Sequence, residues 1–284
     1  MGGILPEPEE KKSRKDKRQR QCRGKHMAQI YDEIGIGYNN YRHPDPRLAV
    51  SIHRALGESR TVVNVGAGAG SYEPTDRAVI AVEPSLAMIH QRRLEHAPVV
   101  QASATALPFP EAAFDAALAI LTVHHWPDQP RGLREMARVA RKRVVIVTWD
   151  PEVFDFWLTA DYFPEITEID RDICPSMQAL RDAFGEIEVK PLPVPHDCID
   201  GFLGAYWRRP HAYLDAGVRG AISSFSKLTD VESGLARLRS DLESGAWEHR
   251  YGHLLQQSDA DLGYRLVIVD RRTHFTTSPP ELSI

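Results

Sequence analysis

One stretch constrains the fold of this chain more than any other. It joins an apolar strand signal, Thr61-Val62-Val63-Asn64-Val65, to a glycine loop, Gly66-Ala67-Gly68-Ala69-Gly70, and then to a second apolar strand, Ala78 to Val82, closed by Glu83. Glycines at alternate positions let a backbone turn sharply and approach a ligand closely, and a carboxylate at the end of the next strand can accept hydrogen bonds from both hydroxyls of a ribose. The arrangement is a nucleoside-binding device. Its G-x-G-x-G spacing lacks the third glycine of the dinucleotide fingerprint G-x-G-x-x-G and leans away from nicotinamide cofactors. A tight turn without a ligand is the rival reading of the glycines, and simple solvation that of an isolated strand-end glutamate.

Around this stretch the chain is organised as an alternation. Strand signals at Val99 to Gln101, Phe114 to Leu121, Arg143 to Trp149 and Ile187 to Val189 are separated by helical patterns, which implies a parallel sheet covered by helices on both faces. Upstream, Pro44 to Leu56 reads as a helix begun by proline, and the segment before it is rich in aromatics, including Tyr31, Tyr38 and Tyr41. Downstream, Gly263 to Val269 is one more apolar, β-branched strand. The residues before it, Pro195 to Asp261, carry helical periodicity at Val231, Leu235, Leu238 and Leu242.

In order along the chain, Val63 to Ser71, Ala81-Val82-Glu83-Pro84-Ser85 with Met88, Ala106-Leu107-Pro108-Phe109, Phe114-Asp115 leading to His124-His125-Trp126, and Arg134-Glu135-Met136-Ala137-Arg138-Val139 before a strand resemble the class I S-adenosylmethionine-dependent methyltransferases, specifically the type 11 family of small-molecule methyltransferases. The resemblance covers roughly residues 38 to 150. It implies an α/β fold, a Rossmann-like doubly wound, mostly parallel seven-stranded sheet whose last strand is antiparallel, and S-adenosyl-L-methionine as cofactor. The expected division is a basic tail at 1–26, an N-terminal helical cap segment at 27–60, the cofactor-binding core at 61–194, a helical lid insertion at 195–261, and a final strand and tail at 262–284.

The resemblance also assigns roles. Gly66, Ala67, Gly68 and Gly70 lie against the methionine part of the cofactor, and Glu83, beside Pro84, holds the ribose. Met88 packs on the adenine, and Ser103 with Ala104 faces its amino edge; many relatives carry an aspartate where Ser103 stands. Leu121 begins the segment where the methyl group is presented, and Tyr41 and Arg42 belong to the segment that closes over the cofactor, with Arg42 a partner for its carboxylate. Tyr31 and Tyr38 share that segment, with core packing as the rival reading. His124 or His125 is a candidate general base, because an imidazole titrates near neutrality and a phenol, thiol or amine must lose a proton; packing is the alternative. Two adjacent histidines are not metal-ligand spacing, and no metal is expected. The Asn/Asp-Pro-Pro-Tyr motif of base methylation is replaced by Leu121-Thr122-Val123-His124-His125-Trp126. The polar and aromatic cluster His196, Asp197, Tyr206, Trp207, Arg208 and Arg209 is a candidate lining of the acceptor pocket, or a structural cap.

Two departures from the family pattern stand out. Only Ser71 to Arg77, including Pro74, separates the glycine loop from the next strand, so the family's long first helix shrinks to about one turn. The other is the length of the insertion.

Composition limits the partners. Lys11 to Lys25 holds nine lysines and arginines against Asp16 alone, and the chain after the first 26 residues carries a net charge of −9. An acidic body argues against nucleic acid, whose binding draws its affinity from lysine and arginine. The basic tail is a nucleic-acid or membrane-surface arm, a disordered leader, or an extension ahead of a start at Met27. Cys22, Cys174 and Cys198 form no C-x-x-C pair, and no apolar run approaches the roughly 18 residues that span a bilayer. The expectation is a cytoplasmic enzyme, monomer or homodimer, acting on a small-molecule acceptor without nucleic acid or membrane. Its rivals are a protein that uses the same cofactor site for cyclisation or rearrangement, and a non-catalytic binding protein.

Overall fold

The computed structural model describes residues 41–150, 152–153 and 156–271, so expectations about the tail, Met27, Tyr31 and Tyr38 lie outside the described residues. Helix α1 spans Pro46–Ala55; it starts at the second proline, not at Pro44, because Asp45 caps it, accepting from the Arg47 amide at 3.0 Å. Strands β1 (Thr61–Val65), β2 (Ala78–Glu83), β3 (Val99–Gln101), β4 (Phe114–Ile120) and β5 (Ala140–Trp149) follow. Between them lie α2 (Leu86–His90), capped by Ser85, and α3 (Gln129–Val139), capped by Asp128. Beyond β5 come α4 (Pro164–Ile173), α5 (Met177–Phe184) and β6 (Glu188–Pro191), and the last strand, β9, is Tyr264–Asp270.

These strands form one sheet in the order β3-β2-β1-β4-β5-β9-β6. Strands β1 to β5 are parallel, while β9 runs antiparallel to both β5 and β6. The order reverses between β1 and β4, and the carboxyl ends of those two strands border the crevice where open α/β sheets bind ligands. The sheet is covered on both sides, so its central strands carry long apolar runs. Val62, Leu118, Val145 and Leu266 point to one face with α1, whereas Val63, Ala117, Ile146 and Val267 point to the other with α3 and α5.

The insertion leaves the sheet between β6 and β9. A two-stranded stem, β7 (Val194–Pro195) paired with β8 (Asp259–Ala260), closes its base. Within it are α6 (Ala216–Gly220), α7 (Glu232–Glu243) and α8 (Ala246–Tyr251), joined by 3-10 turns. Leu235 and Leu238 are the buried face of α7, as their spacing predicts. Trp207, Tyr213, Phe225 and Trp247 join the core on the α1 side of the sheet, with Trp157 set edge-on to Trp247 at 5.3 Å and to Tyr213 at 5.7 Å. Burying each such ring is worth about 1.5–3 kcal/mol, so the insertion is fastened by its own hydrophobic contacts.

One expectation changes. Ser71 to Arg77 forms turns and bends, with no helical turn between β1 and β2. A buried ion pair stands at this place. Arg92 bonds both carboxylate oxygens of Glu73 at 2.8 Å and the Gly68 carbonyl at 3.2 Å, with the two side chains only 4% and 5% exposed.

Candidate active site

The glycine loop is built by the end of β1. The amides of Gly66 and Ala67 both donate to the Val82 carbonyl, at 2.8 and 3.0 Å, which folds the loop back over β2. Gly66, Gly68 and Gly70 have φ of +71°, +53° and +101°, a region in which a side chain is strained. A Cβ on Gly66 would strike the Thr122 side chain, and one on Gly70 the His96 ring. The loop is thus pressed against its neighbours on one side and open to a cavity on the other.

That cavity, of about 300 Å³, gathers most of the residues expected from the sequence. Gly66, Ala67, Gly68, Glu83, Pro84, Met88, Ser103, Ala104, Leu121, His124, His125 and Arg42 all line it; Gly70 and Tyr41 do not. Gly70 closes the loop behind the wall, its amide on the Ala67 carbonyl at 3.0 Å. Tyr41 instead accepts from the Gly201 amide through its carbonyl, at 2.9 Å, fixing the incoming chain to the insertion.

Glu83 is held rigidly. One carboxylate oxygen accepts from the Gly68 amide at 2.8 Å and the other from the Ser85 amide at 2.9 Å, so each keeps lone-pair capacity for a diol. Burial pushes its pKa up from the ordinary carboxylate value, and the two amides oppose that. Met88 is buried, its terminal methyl 3.4 Å from where a Gly68 side chain would begin, so it packs close against the glycine loop. The Ser103 hydroxyl is paired with Thr105 Oγ1 at 2.9 Å and accepts from the Thr105 amide at 3.2 Å. Its first role is to shape its own turn.

At the end of β4, Leu121 has φ of +48°, a strained conformation for a branched side chain, which swings the following 3-10 turn, Val123–His125, into the cavity. The imidazoles of His124 and His125 stand 3.8 Å apart between ring centres. Burial, with the charge of Lys227 behind it, drives the pKa of His124 down to about 3, and burial together with His124 takes His125 well below its ordinary value. Both rings are therefore neutral near pH 7. Their weak basicity gives little driving force for taking a proton from a phenol or amine.

Sequence reasoning missed several lining residues. Tyr72, with φ of +61°, donates its hydroxyl to Asp200 at 2.8 Å. Arg42 Nε donates to the other Asp200 oxygen at 2.6 Å, and Asp200 itself is fully buried in the insertion. Further along, Trp149, Phe156, Ile166, Phe202, Ile222 and Leu262 form an apolar wall in which Asp170 is set. Burial pushes Asp170 up to about 6, opposed by Lys227, whose ammonium is 3.9 Å away. No sequence signal marks Asp170, which reads as one acid on an ordinary amphipathic helix.

The predicted polar cluster in the insertion is not part of the wall. Trp207 is fully buried and donates to the Val194 carbonyl at 3.0 Å, Arg209 stacks over Tyr206 and bonds the Cys198 carbonyl, and Arg208 reaches the Gln257 carbonyl. His196 and Asp197 are exposed at the stem. The cluster clamps the base of the insertion, and Phe202, Leu203 and Ile222 to Ser224 supply its contribution to the cavity.

Comparison with known proteins agrees with this geometry. Residues 63–148 match the family profile described as "Methyltransferase domain". The crystal structure of a methyltransferase described as from an antibiotic biosynthesis pathway of Anabaena variabilis ATCC 29413 superposes with a TM-score of 0.72 at 32% identity, over 81% of this chain and 98% of that one. This chain belongs to the class I S-adenosylmethionine-dependent methyltransferases of type 11. Its cofactor is S-adenosylmethionine, and the glycine loop, Glu83 and Met88 fit that molecule: a cradle that added side chains would disturb, a carboxylate for a diol, and a buried apolar side chain for a flat ring.

Among methyltransferases of known substrate, the chain is 29% identical over 136 residues to the mouse tRNA (carboxymethyluridine(34)-5-O)-methyltransferase ALKBH8, a match covering 45% of this chain and 20% of that protein. It thus spans about a fifth of that relative. The cyclase SpnF shares the fold alone, with a TM-score of 0.50 at 15% identity over 86% of this chain and 99% of that one. Among the described residues, no helix of this methyltransferase is long and apolar enough to cross a membrane.

Proposed function

We propose that the protein transfers the methyl group of S-adenosylmethionine to an oxygen, nitrogen or carbon atom of a small organic molecule, with the insertion serving as a lid. One observation carries this reading. One cavity is lined by the glycine loop, by the two histidines and by a set of apolar side chains supplied partly by the insertion. A chamber of that kind suits an apolar metabolite, and the acidic body offers little to a polyanion such as tRNA. The described thiols, Cys174 and Cys198, are free, which suits a reducing cytoplasm. We expect a monomer or homodimer there.

When bound, S-adenosylmethionine supplies an electrophilic methyl carbon, so the protein has to align and exclude water more than activate. In this reading Glu83 holds the ribose, Met88 and Ala104 flank the adenine, and Arg42 faces the methionine end while it stays on Asp200. His124 and His125 stay neutral, so neither adds a positive charge beside a sulfonium.

Two assays test the reading. Calorimetric titration with S-adenosylhomocysteine reads the cofactor site, and Glu83→Ala removes one charge-assisted acceptor, worth about 1.5–3 kcal/mol, or roughly ten- to a hundredfold in affinity. Incubation with methyl-tritiated S-adenosylmethionine then reads the acceptor, in a metabolite extract and in total tRNA separately. Label in the small-molecule fraction supports the proposal. Label in tRNA alone, or cofactor binding without any transfer, overturns it.

A further inference from the structure

The cavity that the glycine loop lines also holds a carboxylate. Asp170, on α4, lines the cavity among Thr159, Ile166, Cys174 and Ile222. Its side chain is only 13% exposed, and among the described residues no group donates a hydrogen bond to it; its nearest charge is Lys227, at a loose 3.9 Å. A nearly buried carboxylate costs free energy unless it is hydrogen-bonded, so an acid left in an apolar wall facing a ligand chamber points to a donor brought by the ligand. It lines the same cavity as His124 and His125 at the end of β4.

Resting on the reading of the cavity as a methyl-transfer site, we propose that the acceptor is an apolar molecule bearing a hydroxyl nucleophile, and that Asp170 accepts the hydrogen bond of that hydroxyl and takes its proton. The oxygen gains the methyl group, the bond from that carbon to the cofactor's sulfur breaks with the pair left on sulfur, and the proton passes to Asp170, which returns it to solvent when product leaves. A hydroxyl suits the chamber better than an amine. With Lys227 beside the carboxylate, and Arg42 and a sulfonium in the same cavity, an ammonium would add a further cation, whereas a neutral hydroxyl adds no charge.

Asp170 is also the group that can do this near neutrality. It takes up its proton at about 6, while the histidines are much weaker bases; around it, burial lowers Lys227 and raises Cys174 and Tyr264, so the thiol and the phenol stay protonated there.

The test is a binding measurement on the full chain saturated with S-adenosylhomocysteine, read by tryptophan fluorescence with Trp149 in the wall. The probes are para-butylphenol, its methyl ether para-butylanisole, and para-butylbenzylamine. The phenol is expected to bind roughly tenfold or more tighter than the ether, because only the phenol can donate. Asp170→Leu, which has no acceptor, removes that preference while leaving the affinity for S-adenosylhomocysteine unchanged; if that variant does not fold, Asp170→Ala takes its place. Lowering the pH through about 6 reduces the preference in the wild type. Equal binding of phenol and ether, no binding of either, tighter binding of the amine, or a preference that survives in the variant would each overturn the proposal. A wild type that fails to bind S-adenosylhomocysteine refutes the methyl-transfer reading beneath it instead.

Discussion

Replacing Arg92 with methionine asks whether an ion pair has taken over the task of the missing helix. The guanidinium donates to both oxygens of Glu73, to the Ala97 carbonyl at 2.9 Å and to the Gly68 carbonyl at 3.2 Å. Without it, the Glu73 carboxylate stays buried with only the Ala97 amide at 3.0 Å and Asn64 Nδ2 at 3.2 Å as donors. Removing one partner of a buried pair costs about 3–5 kcal/mol, a large share of the 5–15 kcal/mol that holds a typical domain folded. At roughly 2–4 °C per kcal/mol for a chain of this size, the melting temperature falls by about 10 °C. Because the same guanidinium holds a glycine-loop carbonyl, affinity for S-adenosylhomocysteine falls as well.

Urea unfolding and calorimetry read the two effects separately, and Glu73→Leu combined with Arg92→Met completes the cycle. The double variant carries no orphaned charge and should be more stable than Arg92→Met alone. A loss below about 1 kcal/mol for Arg92→Met, or costs that simply add in the double variant, would show that the pair merely sits beside the loop and does not hold it.

Four further outcomes follow from the same geometry. Gly70→Ala lowers both the melting temperature and cofactor affinity, by about 1–3 kcal/mol in stability from its φ of +101°, and His96→Ala relieves the clash but not the backbone strain. Tyr72→Phe takes one donor from the fully buried Asp200, costing about 1–3 kcal/mol and speeding proteolysis within the insertion; an unchanged cleavage rate would refute its fastening role. Between about pH 6.5 and 3 an unfolded chain protonates His124 while the folded chain does not, so stability is lost as the pH falls through that window, and His124→Gln flattens the loss in a series of melting curves. Asp170, raised to about 6, binds its proton in the folded state first and opposes that loss between about 6 and 3.8, so Asp170→Asn steepens it.

The sheet was legible because its central strands are buried on both faces: the apolar runs of β1, β4 and β5 need no partner to be recognised, and the glycine loop with Glu83 marks where β1 ends. Helix α7 was legible for the complementary reason, since Leu235 and Leu238 fall on one face. What escaped depends on contacts far apart in the chain. Glu73 and Arg92 are separated by a whole strand, Tyr72 and Asp200 by most of the core, and nothing local in either pair announces the other. The cluster at His196 to Arg209 left two readings open, pocket lining or structural cap, because aromatic and charged residues read the same whether they face a ligand or a neighbouring carbonyl. Trp207 took the carbonyl, as a buried indole N–H must find an acceptor somewhere.

These long-range contacts converge on one point, and that convergence bears on how the site works. Asp200 of the insertion is bound by Arg42 from the chain entering the fold and by Tyr72 from the end of the glycine loop; the Asp45 amide donates to the same tyrosine at 3.3 Å, and the Ile199 amide donates to the Asp45 carboxylate at 3.3 Å. The insertion is therefore fastened to the loop that receives the cofactor as well as to the sheet. Arg42 lines the cavity while engaged with Asp200, so a carboxylate placed near it competes for the same guanidinium. Under the proposed reading, cofactor occupancy and the position of the acceptor wall would share one set of hydrogen bonds, and a change in either would alter the free energy of the other by the same amount. Tyr72→Phe separates the two: if the network couples them, the variant weakens the dependence of acceptor-probe affinity on bound S-adenosylhomocysteine, and if that dependence is the same as in the wild type, the fastening is structural only.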